Sequence, residues 1–234
     1  MNNPPYPRDH RPKTITRQLV ILREHFPHIA DPDPTVVPLP APAEAEGRFV
    51  VPDWHLFAPT YLQAVEEMVD KLDTIPAKKI MGFKNHCDVF RHECPEYLRQ
   101  RPESIQMWEA LRAAQKSSTL IIPTQLGLRH RELSAIEAQK KYTATECGLG
   151  VFAALIILLT HPERLQNYYD LRMACTGDEC VPPPGYSHLG PFAGVPCLEG
   201  DRDYPHLFPL INKEAYPNLG AATMFLPSET IASI

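Results

Sequence analysis

Ile15, Leu19, Leu22 and Phe26 recur three or four positions apart, so they share one face of a helix, and Pro27 stops it. From Arg48 the pattern changes. Phe49-Val50-Val51 forms a short apolar run closed by Pro52, which predicts a strand, and Thr60-x-x-Gln63 is the opening of a capped helix. Tyr61, Val65, Met68, Val69 and Leu72 supply that helix with an apolar stripe. Lys79 to Phe83 predicts a weak strand, and Ser104 to Gln115 a helix that turns Ile105, Trp108 and Leu111 inward. Thr119 to Ile122 is the clearest buried strand.

Leu133-x-x-Ile136 is followed by an unbroken apolar segment, Val151 to Leu159, which predicts a core helix or core strand. The uncharged run from Cys147 to Thr160 is shorter than the roughly 20 residues a membrane span needs. His161-Pro162 predicts a further helix through Tyr168. Beyond Leu171 the prolines at 182–184 and the glycines at 185, 190, 194 and 200 interrupt the chain so often that short strands and loops are expected, ending in a strand at 222–226. No internal repeat is present.

Strands separated by amphipathic helices predict an α/β fold with a partly parallel or mixed sheet covered by helices. Ten of the 26 prolines lie in residues 1–47, so this part is expected to be a Pro-rich arm, extended and polyproline-like around its one short helix. Residues 48–234 are expected to form a single globular domain, loop-rich from 171 onward. The 44% hydrophobic and 22% charged fractions fit a globular chain. A net charge of −5 provides no global field for nucleic acid. The first ten residues lack the apolar core of a secretory signal, so a cytoplasmic location without membrane attachment is expected. The six cysteines are then expected to be free, buried or metal-bound.

Five stretches carry candidate chemistry. His86-Cys87 with His92 and Cys94 has ligand types that zinc prefers, but six residues separate the two cysteines. Cys175-Thr-Gly-Asp-Glu-Cys180 is better shaped, because a turn at Gly177 brings its sulfurs together, and Cys197 with His188 would complete a structural zinc site. Gly148-Leu-Gly150-Val-Phe-Ala153 formally matches a dinucleotide fingerprint, with Asp170 near the required acidic position, although Lys141 to Glu146 makes a poor buried strand ahead of it. Gln125-Leu-Gly-Leu-Arg-His-Arg131 follows the buried strand, where a loop presenting Arg129, His130 and Arg131 could hold a phosphate or carboxylate. The competing reading of that stretch is a solvated basic turn pairing with Glu132 or Glu137. Cys147 could be a thiolate at a helix N-terminus, opposed by Glu146 beside it.

No Gly-x-Ser-x-Gly elbow, P-loop or His-Glu-x-x-His stretch occurs. The leading expectation is therefore a non-enzymatic binding or assembly protein that reaches a protein partner or a second copy through residues 1–47. The alternatives are a small enzyme or ligand-binding protein using Arg129, His130 and Arg131, with Glu146 or Asp178 as acid or base, and a zinc-stabilised module.

Overall fold

The computed structural model describes residues 11–36, 41–74, 83–92, 94–165, 170–200 and 205–227. Among these are five α-helices, α1 (Ile15–His25), α2 (Tyr61–Asp73), α3 (Pro102–Gln115), α4 (Ala135–Gln139) and α5 (Val151–Thr160). Ten strands alternate with them: β1 (Gly47–Pro52), β2 (Lys84–Asn85), β3 (Leu98–Gln100), β4 (Thr119–Arg131), β5 (Glu146–Gly148), β6 (Arg172–Ala174), β7 (Asp178–Cys180), β8 (Gly194–Glu199), β9 (His206–Ile211) and β10 (Leu219–Phe225).

All ten strands join one mixed sheet with the main path β1-β4-β10-β6-β8-β7-β3, while β5 pairs with β10 and β9 bridges β2 and β8. Parallel pairing occurs where β10 meets β6 and where β2 meets β9, and the other pairings are antiparallel. The α/β expectation holds as a mixed sheet, but a strand-rich one. β1 and β4 are separated in sequence by α2 and α3, yet they pair directly and antiparallel, so the alternation of strands and helices does not build a βαβ unit there.

The helical stripes are placed largely as the spacing predicts. Leu19, Leu22 and Phe26 of the N-terminal arm are buried, with Ile15 packed against the same core. Val65, Met68, Val69 and Leu72 of α2 are buried too. In α3 Leu111 turns inward, but Ile105 is 42% exposed, because the buried face of that helix runs through Ser104, Leu111 and Gln115. α5 is buried at all ten positions, as expected of a helix apolar all round, and packs against α1, α2 and β1.

The described part of the arm packs on the domain. Lys13 N–H donates to His161 Nε2 at 2.8 Å, and Lys13 Nζ pairs with Glu163 at 2.6 Å. The region after 171 contains five strands, because Pro196 and Pro209 face one another in the β8–β9 ladder instead of ending it. After His161 the described residues form a short 3₁₀ turn, Pro162–Arg164, and the predicted helix end at Tyr168 lies outside them. Most of the weak strand predicted at 79–83 also lies outside them, as do Pro38 and Pro40 of the arm. No helix among the described residues is long and apolar enough to cross a membrane.

Candidate functional site

The main path of the sheet ends at β1 and at β3, and each end exposes main-chain donors and acceptors that need partners. At the β1 edge the residues facing away from β4 are Arg48 and Val50. α1 answers both with one side chain: Gln18 Nε2 donates to the Arg48 carbonyl at 2.9 Å, and Val50 N–H donates to Gln18 Oε1 at 2.8 Å. The open side of β4 is treated alike. Gln115 Nε2 of α3 donates to the Ile121 carbonyl at 2.8 Å, and Ile121 N–H donates to Gln115 Oε1 at 2.9 Å.

The edge at β3 has no such cover. Its register with β7 is Leu98↔Cys180, Arg99↔Glu179 and Gln100↔Asp178. The flanking bonds, Val181 N–H to Tyr97 O and Arg101 N–H to Gly177 O, fix Tyr97, Arg99 and Arg101 as the residues facing β7. The N–H and C=O groups of Leu98 and Gln100 therefore point outward, and no group among the described residues bonds to them. The two residues line a groove of about 630 Å³ formed with the N-terminal half of α2, Trp54 and Ile105, Gln100 partly exposed and Leu98 buried at its floor. At one end the groove meets a narrow pocket lined by Trp54, Tyr61, Trp108, Phe152 and Gly150, with Arg112 and Asp53 paired at 3.0 Å on its wall. Both tryptophans of the chain are thus in one place.

The base of the pocket is held by a buried carboxylate. Asp178 Oδ2 accepts Val151 N–H at 2.6 Å and the Tyr61 hydroxyl at 2.6 Å, and Phe152 N–H donates to the Tyr61 oxygen at 3.2 Å. Asp178 thus caps α5 from across the fold, supplying the anion that the N-terminal helix dipole favours. Burial outweighs these hydrogen bonds and raises its carboxyl pKa to about 7. Asp178 Oδ1 is buried without a partner among the described residues.

Compared with known protein families, curated proteins and solved structures, the chain matches none.

The glycine fingerprint receives a different explanation in this geometry. A Cβ on Gly150 would lie 2.7 Å from the Tyr61 hydroxyl and 2.9 Å from Asp178 Oδ1, and one on Gly148 would lie 2.4 Å from Gly177 N. The glycines allow two backbone turns to touch, and Asp178 fills the position a pyrophosphate would need. β5 ahead of them is a three-residue strand antiparallel to β10, and Asp170 lies in the surroundings of the buried Arg164. The dinucleotide reading is accordingly set aside.

The proposed anion loop is not a loop. β4 continues through Arg131, so Arg129, His130 and Arg131 lie within a strand. His130 is buried with Nε2 2.7 Å from Glu146 Oε1, and Arg129 Nε lies 3.4 Å from Glu146 Oε2. Arg131 donates to the Pro217 carbonyl at 3.3 Å and 3.4 Å. Thr223 Oγ1 also donates to Glu146 Oε1, at 2.7 Å. Burial pushes the Glu146 carboxyl upward, but the bonds from His130 and Thr223 and the charges of His130 and Arg129 prevail and hold it below its ordinary value. His130 and Arg129 are turned to Glu146, and Arg131 to the Pro217 carbonyl. Cys147 is buried in β5, and burial, with the neighbouring Glu146 charge, raises its thiol well above its ordinary pKa, so it is not the stabilised thiolate that its sequence position suggests.

Cys175, Cys180 and Cys197 are all fully buried, whereas His188 is exposed in a separate 3₁₀ turn. The fourth group near these thiols is Cys87, a buried thiol like them. His86 and His92 are exposed and Cys94 is half-buried, so they do not follow Cys87 into the core. Among the described residues no group of three or more His, Cys, Asp or Glu side chains is arranged to hold a metal ion.

Proposed function

We propose that the protein is a binding module that takes up an extended peptide segment of a partner along the free edge of β3. The observation that carries this reading is the contrast among the strands: Gln18 and Gln115 complete the outward groups of β1 and β4, whereas no described residue completes those of Leu98 and Gln100, and Gln100 borders an open groove. A peptide strand added there would gain main-chain hydrogen bonds and set alternate side chains into the groove. β3 is only three residues long and carries the charged Arg99, features that discourage edge-to-edge aggregation. The pocket at the groove's end has free volume of about 10 Å³, so it favours a small side chain such as alanine or serine at that position. The partner surface is assigned to β3 instead of the N-terminal arm because the buried side chains of α1 are used in the chain's own core.

Selection from a random peptide display library, followed by titration against intrinsic tryptophan fluorescence, tests the reading directly. Bound peptides should perturb Trp54 and Trp108. Gln100→Pro removes an outward N–H without removing a bond to β7, so it should weaken binding about tenfold or more while the fold persists. Peptides that bind Gln100→Pro as well as the unaltered protein, or a selection that yields no binder, would reject the β3 edge.

A further inference from the structure

We infer that the cleft between the start of α3 and the α4–β5 connection is a second binding site, one for a small organic carboxylate. It encloses about 320 Å³, at the lower end of the range for ligand pockets. α3 is a fourteen-residue helix whose N-cap, Arg101, makes no side-chain capping bond. Pro102 has no N–H to give, so the first-turn donors left for an anion are the N–H groups of Glu103 and Ser104.

Two observations independent of the helix end point to an occupant. Ser104 lines the cleft and is only 3% exposed, yet its hydroxyl has no hydrogen-bond partner among the described residues. Arg101 lines the same cleft and is held loosely, 3.7 Å from Glu103 and 3.8 Å from Glu179, so its guanidinium can turn to a carboxylate at little cost. On the facing wall the Tyr142 and Thr176 hydroxyls are 2.5 Å apart, and Gln139 Nε2 donates to the Thr176 carbonyl at 3.3 Å. Met107 and Cys147 complete the lining with apolar surface.

The charge balance selects the ligand class. Arg101, the one cation among the described residues lining the cleft, already has Glu103 and Glu179 within 4 Å, so the site suits a single negative charge better than a phosphate dianion. Glu146 also borders the cleft, but its side chain is fully buried and faces His130 and Arg129, so it does not oppose an anion at the α3 end. The apolar strip fits a short hydrocarbon or aromatic tail on the carboxylate.

Thermal melting with acetate, butanoate, benzoate, inorganic phosphate and chloride at constant ionic strength tests the site. Butanoate and benzoate should raise the melting temperature saturably, and more than acetate. Ser104→Ala removes a hydroxyl that no described residue bonds and that opens to the cleft, so without ligand it should melt close to the unaltered protein. In the presence of benzoate it should bind about tenfold more weakly, and Arg101→Gln should do the same. The inference is overturned if no carboxylate gives a saturable shift, if phosphate alone does, or if both variants bind benzoate as tightly as the unaltered protein.

Discussion

At the level of single residues, Asp178 is a carboxyl whose chemistry departs far from its surface behaviour. Its pKa rises from 3.8 to about 7 because burial outweighs the bonds from Tyr61 and Val151. A carboxyl whose folded pKa lies above its unfolded value stabilises the fold when protonated, so its contribution is full below about pH 4 and is lost as pH rises through about 7. A rise of that size corresponds to at most about 4 kcal/mol. Asp178→Asn retains an oxygen for the Val151 N–H and cannot ionise. Its stability relative to the unaltered protein should therefore improve between pH 5 and about pH 7 and then level off in urea melts, and a difference independent of pH would mean the carboxyl titrates normally. Taking the difference between the two proteins cancels groups that run the other way, such as Glu146, whose lowered pKa makes its own contribution disappear on acidification.

At the level of elements, two glutamines do for β1 and β4 what neighbouring strands do elsewhere. Replacing Gln18 by Met keeps volume but leaves the Val50 N–H and the Arg48 carbonyl without partners, at about 1–3 kcal/mol for a buried group. The denaturation midpoint of Gln18→Met should fall with an unchanged slope, and an unchanged midpoint would show that water replaces the amide. Helices with regular stripes, α1 and α2, were legible in the sequence because one face alone decides their burial. The continuation of β4 was not. Pro123 and Gly127 signal a strand's end, but Pro123 opposes Arg48 at a position facing away from β1, and pairing with β10 begins at Thr124, so the missing N–H breaks no ladder bond. Gly127, at φ +111°, meets Gly220 so closely that a Cβ would sit 2.9 Å from the Gly220 carbonyl oxygen, beside an irregularity in the β10 register. The candidate groove was equally hidden. Trp54, Leu98, Gln100 and Trp108 are scattered along the chain, and a three-residue strand is too short for alternation to announce it.

At the level of the whole molecule, the sequence leaves two roles open for the N-terminal arm, a partner-reaching extension or a part of the core. Leu19, Leu22, Phe26 and Ile29 belong to the same buried cluster as β1, α2 and α5, and Leu22 has no exposed surface. Truncating one such leucine to alanine costs about 2–5 kcal/mol, whereas a whole domain is stable by only about 5–15 kcal/mol. Leu22→Ala should therefore lower the melting temperature clearly while leaving the solution mass as it was. Deleting residues 1–29 removes four large side chains together with the Gln18 bridge to β1, so the remaining chain should lose its cooperative transition altogether. Calorimetry with light scattering on the three proteins separates the two roles. If the arm serves chiefly to hold a second copy, the deletion should halve the mass and keep a cooperative melt. If it is core, the melt should disappear, since β1 would then present both an uncovered apolar face and an unpaired edge to water.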